Sequence, residues 1–198
     1  MDKETKDYID SLDVKSVPWG RMFTAYGTAE GYPELLSDLE QAADLDEWKI
    51  AFNRLSDFEH QSTMFPPAPF ALIFLVRMLH KRLEDGKADD IAKRMIYHFE
   101  YYVDICVDAG KMEHAHPLGH FSDLLDDNNL LPEECTEEDL WDIFEDPEAV
   151  SDELFCSFYY YSLIVLSQIP DILDQYKSFS EESQNLRNKI EAAADLSE

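Results

Sequence analysis

The fold is decided by the stretch Leu55–Leu83, LSDFEHQSTMFPPAPFALIFLVRMLHKRL. Its centre is a run of seven apolar residues, Phe70–Val76, with prolines before it and basic residues after it. Seven is far fewer than the roughly 20 apolar residues that a membrane-spanning helix needs. A helix that is apolar on every side is buried among other helices. Because proline fits the first turn of a helix, we predict a buried central helix that begins near Pro66 or Pro67.

The rest of the chain has helical periodicity, with apolar residues three or four positions apart. Glycine is scarce, at six of 198 residues, and no segment alternates as a strand would. We therefore predict one all-α domain over residues 1–198. Residues 1–17 are polar and are predicted to be a mobile N-terminal segment, with a docking turn at Tyr8, Ile9 and Leu12. Periodicity leaves two arrangements open: HEAT-like stacked helical hairpins in an α-α superhelix, or an irregular helical bundle.

Glycine, proline and capping residues predict where the helices are joined. Three glycines in Trp19–Pro33 predict a short helix and a turn-rich connection. Gly110 is predicted to cap the helix before it. Pro170 is predicted to stop the apolar helix that begins at Glu153. Thr136 and the acids after it have the pattern of an N-cap box.

The net charge is the most unusual feature of the composition. The chain has 43 Asp and Glu against 16 Lys and Arg, which gives −27. Such a chain repels nucleic acid and anionic membrane surfaces and attracts basic proteins. Three cysteines without paired spacing predict reduced thiols. The polar first ten residues lack the apolar core of a signal peptide, so the prediction is a cytoplasmic protein.

The negative charge is concentrated in the later part of the chain. Residues 1–110 have a net charge of −9 and residues 111–198 one of −18, and Asp123–Glu153 holds 14 acids without any Lys or Arg. An ordinary surface mixes both signs, so a one-sign block favours docking of a basic partner over a merely solvated face. The alternative is that the acids serve solubility. The predicted partner-binding residues are these acids and one aromatic anchor: Asp126, Asp127, Glu133, Glu134, Glu137, Glu138, Trp141, Asp142, Glu145 and Asp146.

Two clusters resemble metal sites but lack a full ligand set. His114, His116 and His120, with Glu113 beside them, are spaced to converge on zinc, yet no Cys and no second His pair lies nearby in the sequence. The Asx-rich run that starts at Asp123 does not follow the EF-hand pattern and is better explained as a turn. We predict no metal and no cofactor.

The sequence gives no sign of catalytic chemistry. It contains no G-x-S-x-G nucleophile elbow and no glycine-rich phosphate loop after a strand. The aromatic run Tyr159–Tyr161 has helical spacing and is predicted to be core, since a platform that stacks nucleic acid would need a basic groove.

One part of the chain resembles a known family. The string W-x-x-M-x-x-A-Y-G-x-A begins at Trp19, and H-Q-x-T begins at His60, before the proline-containing helix. Together they are similar to a group of bacterial HEAT-repeat-like proteins, over about Trp19–Leu79. Ser62 stands where that group tends to have glycine. The resemblance implies an α-α superhelical scaffold that binds proteins, and several members of the wider group look like immunity proteins for secreted bacterial toxins. It implies no catalytic residues, and a turn-fixing role for His60 and Gln61.

The sequence therefore predicts a non-catalytic binding protein. The leading hypothesis is an immunity protein that neutralises a cognate basic toxin, possibly a nuclease, through the acidic surface. Two alternatives from other classes are a metal-dependent enzyme centred on His114, His116 and His120, and a scaffold or adaptor without a toxin partner. The sequence leaves the oligomeric state open.

Overall fold

The structure is a computed structural model that describes residues 1–111, 116–136, 140 and 150–194. Its helices are α1 (Lys3–Ser11), α2 (Tyr32–Gln41), α3 (Leu45–Leu55), α4 (Ala68–Glu84), α5 (Asp90–Gly110), α6 (Asp152–Leu166), α7 (Ile169–Leu173) and α8 (Ser180–Ala194). Short 3-10 helices lie at Val14–Ser16, Trp19–Arg21, Ser56–Phe58, Phe121–Leu125, Asp127–Asn129 and Lys177–Phe179. The predicted mostly helical fold is confirmed. Stacking of the helices as a HEAT-like superhelix stays a prediction.

Helix α4 is the centre of the core, as its apolar run predicts. Every residue from Ala68 to Val76 is buried, and α2, α5 and α6 all contact this helix. The helix begins at Ala68, directly after Pro67, because the first turn needs no N–H from proline. Its charged end, from Arg77 onward, reaches the surface of the bundle. No helix in the described part of the chain is both long enough and apolar enough to cross a membrane.

The other helices form pairs around α4. Helices α2 and α3 pack against each other, α5 packs against α6 and α8, and α7 packs against α8. The predicted stop at Pro170 is wrong. Helix α6 ends at Leu166, and Pro170 lies in the first turn of α7. The reason is that proline starts a helix as readily as it ends one, since the first-turn N–H groups have no intrahelical partner.

Two short β-hairpins lie in segments that the sequence predicted to be turns. Strands β1 (Phe23–Thr24) and β2 (Gly27–Thr28) pair antiparallel, as do β3 (Glu59–His60) and β4 (Thr63–Met64). Each strand has two residues, so no alternating pattern was available to predict it. The hairpins lie on either side of the α2–α3 pair in the sequence.

The N-terminal segment docks onto α4. Ile9 and Leu12 are buried, and the guanidinium of Arg77 donates hydrogen bonds to the carbonyl oxygens of both residues, at 2.7 Å for Leu12. The predicted docking is therefore confirmed for Ile9 and Leu12, but the segment is the nine-residue helix α1 and not a short turn. Mobility of residues 1–17 stays a prediction.

Candidate functional site

The two hairpins meet in space and bring together both motifs on which the family resemblance depends. The hydroxyl of Tyr26, from A-Y-G, lies 3.0 Å from Nδ1 of His60, from H-Q-x-T. The two rings pack edge to face with their centroids 5.2 Å apart. Even with this hydrogen bond and ring contact, Tyr26 is 75% exposed.

A half-buried carboxylate joins the first hairpin to the segment that leads into the second. Asp57 accepts hydrogen bonds from the hydroxyls of Thr24, at 2.8 Å, and Tyr32, at 2.5 Å, and its carbonyl oxygen accepts one from the Ala25 N–H, at 3.0 Å. Burial raises the pKa of the Asp57 carboxyl above its usual value, although both hydroxyl hydrogen bonds lower it in part. Burial, and next the charge of Asp57, raise the pKa of Tyr32, so its hydroxyl keeps its proton and remains a donor.

The turn between β3 and β4 has an unusual backbone conformation. Gln61 and Ser62 both have positive φ, at 52° and 64°, as in the two-residue turn that suits a hairpin but normally contains glycine or asparagine. The Glu59 carboxylate accepts a hydrogen bond from the Ser62 N–H at 2.8 Å, and the Tyr159 hydroxyl donates one to the Ser62 carbonyl oxygen at 3.2 Å. The Tyr101 hydroxyl also donates to Glu59, at 3.1 Å. These bonds fix an otherwise disfavoured turn in one shape.

Four of the predicted partner-binding residues lie in the described part of the acidic stretch. Asp126, Asp127, Glu133 and Glu134 are all exposed, as expected for docking and for simple solvation alike. The other predicted residues lie outside the described residues: Glu137, Glu138, Trp141, Asp142, Glu145 and Asp146. The residues described here, 123–136, are called the acidic segment below.

Apolar residues anchor the acidic segment to the core. Phe121, just before it, is buried against the rings of Phe70 and Tyr161, with centroids 5.4 and 4.8 Å away. Leu124 and Leu131 are also buried. The carboxylates are therefore presented by a backbone whose apolar side chains point into the protein.

Arg21 ties the acidic segment to the rest of the chain. Its Nε donates to the Leu131 carbonyl oxygen at 2.7 Å, and its own carbonyl oxygen accepts from the Leu131 N–H at 2.9 Å. Its guanidinium also pairs with Asp127 at 2.7 Å. Asp127 thus has an ion-pair partner within the protein, and its role in binding another protein stays a prediction. The Asp127 side chain is 87% exposed, so the ion pair itself stabilises little.

We expect Arg21→Ala to loosen the acidic segment. Loss of the side-chain hydrogen bond to the Leu131 carbonyl should speed hydrogen exchange of the Leu131 amide about tenfold, because a hydrogen bond to a charged donor contributes about 1.5–3 kcal/mol. Lys15→Ala, which removes another cation from the same part of the chain, should leave that amide unchanged. An unchanged Leu131 exchange rate in Arg21→Ala would contradict the anchoring role.

The predicted histidine cluster is not assembled as a metal site in the residues described. His116 and His120 are exposed, and His114 lies outside the described residues. His120 Nδ1 lies 3.4 Å from a Glu4 carboxylate oxygen. The backbone N–H of His120 donates a hydrogen bond to the Asp123 carboxylate at 2.9 Å. Across residues 1–111, 116–136, 140 and 150–194, no group of three His, Cys, Asp or Glu side chains is placed to hold a metal ion. These contacts give His120 a local structural role.

The exposed aromatic residues around the β3–β4 turn were not predicted from the sequence. Besides Tyr26, they are Tyr101 on α5, 42% exposed, and Phe155 on α6, 43% exposed. The prediction that Tyr159–Tyr161 is core is right for Tyr161, which is buried, and wrong for Tyr160, which is 46% exposed. Helical periodicity could have identified Tyr101 as exposed, because it places the neighbouring Tyr102 on the buried side of α5.

No family model matches the chain, and neither the curated proteins nor the solved structures compared with it gave a match. The resemblance to HEAT-repeat-like proteins therefore stays a prediction.

Proposed function

We propose that this protein is a non-catalytic binding protein whose acidic segment docks a basic protein partner. The observation that carries the proposal is the combination of exposed carboxylates, at Asp126, Glu133 and Glu134, with a backbone anchored through Leu131 and Arg21. Charges on an anchored backbone keep their arrangement when a partner arrives, so less entropy is lost on binding. The one-sign field of a −27 chain speeds the encounter.

The biological role that we propose is immunity: the protein neutralises a cognate basic toxin, a nuclease, in the bacterial cytoplasm. The carboxylates pair with Lys and Arg side chains with which the toxin otherwise binds phosphate, and the bound scaffold covers the toxin's active site. A HEAT-like superhelical arrangement of the helices belongs to the same proposal. The support for this role is the motif resemblance around Tyr26 and His60 together with the charge.

A ten-residue lysine peptide is a suitable probe of the docking surface. We expect Asp126→Lys, Glu133→Lys and Glu134→Lys, combined in one variant, to weaken its binding at least about tenfold at about 150 mM salt. The control combines Asp38→Lys, Glu84→Lys and Glu191→Lys, three exposed acids on α2, α4 and α8. It has the same net charge and should lose less than about threefold, because exposed charges further apart than about 8 Å are screened.

Isothermal titration calorimetry of both variants gives the comparison. Equal weakening in the two variants would contradict docking at the acidic segment, and would favour an adaptor whose acids only keep it soluble.

A further inference from the structure

We propose that the hairpin surface, defined as Tyr26, Glu59, His60, Tyr101 and Phe155, is a second contact surface that binds arginine side chains of the basic partner. This inference rests on the proposed function, because it takes the partner to be basic. The hairpin surface would give the partner exposed aromatic side chains to pack against, which the described residues of the acidic segment do not provide.

The exposed tyrosines of this surface are held by hydrogen bonds. The Tyr26 hydroxyl lies within hydrogen-bond distance of His60 and the Tyr101 hydroxyl donates to Glu59, so both hydroxyls have partners within the protein while the two residues remain 75% and 42% exposed. Binding to such rings loses little side-chain entropy. Exposed, fixed tyrosines are typical of the residues that contribute most to a protein interface.

Glu59 and Phe155 are linked through contacts around the β3–β4 turn, and His60, which contacts Tyr26, is the next residue after Glu59. Glu59 and Ser62 are joined by a hydrogen bond, the Ser62 carbonyl oxygen accepts from the Tyr159 hydroxyl, and the Tyr159 ring lies 5.3 Å from that of Phe155. Phe155 follows Glu153, the last acid of the one-sign stretch, by two residues. Phe155, one residue of the hairpin surface, therefore lies close in the chain to the end of the acidic stretch.

Arginine is the side chain that fits these rings and this charge. A guanidinium stacks flat on an aromatic face, whereas the lysine ammonium is more strongly hydrated and stacks less well. The protein contains an example one turn away on the same helix: the Arg94 guanidinium lies 4.9 Å from the centroid of the Tyr97 ring. Tyr97 already has a cation on its face, whereas Tyr101, four residues later, points its hydroxyl to a carboxylate.

The test compares ten-residue arginine and lysine peptides of equal charge. We expect the wild-type protein to bind the arginine peptide at least about fivefold more tightly, as two exposed cation–π contacts would give. Tyr26→Leu combined with Tyr101→Leu should reduce that preference to less than about twofold and leave binding of the lysine peptide unchanged. Tyr97→Leu is the matched control and should keep the full preference, because Arg94 already covers that ring.

The outcomes separate the two proposals. If neither peptide binds, the proposed function fails. If the wild-type protein binds both equally, or if the double variant keeps the arginine preference, the hairpin proposal alone is overturned. Since Tyr26 is mostly exposed, Tyr26→Leu by itself gives a second variant that folds, and it should lose part of the preference.

Discussion

Replacing Phe70 by alanine is expected to lower the free energy of unfolding by about 3–5 kcal/mol, the range for a large aromatic side chain removed from a packed core. Phe70 is fully buried in α4, and its ring meets that of Phe121 edge to face at 81°. Phe121 lies immediately before the acidic segment. The same substitution should therefore loosen residues 121–131, since the aromatic pair is lost along with the packing.

Chemical denaturation measures the first effect, and amide hydrogen exchange in residues 121–131 the second. The matched control is Phe155→Ala, which removes the same ring from a position that is 43% exposed and should cost about 1 kcal/mol or less. A similar loss of stability in both variants would show that α4 is not the centre of the core. Normal exchange in residues 121–131 of Phe70→Ala would show that the segment is held in some other way.

Removal of the Asp57 carboxylate is expected to have the second largest effect. Asp57→Ala leaves the buried hydroxyls of Thr24 and Tyr32 without their acceptor, and each such group costs about 1–3 kcal/mol. The free energy of unfolding should fall by about 2–4 kcal/mol. The hairpins should also separate, so the fluorescence of Tyr26 should change. Asp38→Ala, at an exposed acid of α2, should change stability by less than about 0.5 kcal/mol.

The raised pKa of Asp57 also predicts a pH dependence with a definite sign. A carboxyl whose pKa is higher in the folded than in the unfolded state binds its proton more readily when folded. Its contribution to stability therefore increases as the pH falls from above the raised pKa towards the unfolded value of about 3.9. Asp57→Asn keeps the shape without the titration, and its neighbours are hydroxyls that can turn to accept from its N–H groups.

The stability difference between wild type and Asp57→Asn should therefore shift in favour of wild type as the pH is lowered from neutral to about 4. Denaturation of both proteins across that range measures the shift. A shift of the opposite sign would mean that the hydrogen bonds, rather than burial, determine the pKa of Asp57.

The helices were predictable because their apolar residues recur at helical spacing and their ends have recognisable residues. The run Phe70–Val76 identified the central helix, and Asp89 caps α5 through the Ala92 N–H, as Asp commonly does at the start of a helix. Gly110 is an exception: it is the last residue of α5, with φ outside the left-handed region. The hairpins were not predictable, since two-residue strands have no period and Gln61-Ser62 is not a usual hairpin turn pair.

The candidate site was predictable only in composition. The excess of acids can be counted in the sequence, and the four predicted partner-binding residues that the structure describes are exposed. Contacts between distant residues cannot be read from spacing. Arg21 reaches Asp127 across 106 positions, and Tyr26 reaches His60 across 34. Both contacts depend on how the helices pack, which periodicity does not specify.

The salt dependence of binding shows whether a defined docking surface or only the overall net charge attracts the basic partner. The measurement is the affinity of the ten-residue lysine peptide between about 50 and 500 mM salt, for wild type and the two triple-lysine variants. We predict that binding by wild type and by the Asp38, Glu84 and Glu191 control weakens at least about tenfold across this range, while the acidic-segment variant, already weak, changes much less. If the two variants, which have equal net charge, respond to salt in the same way, no particular surface binds the partner and the account is wrong.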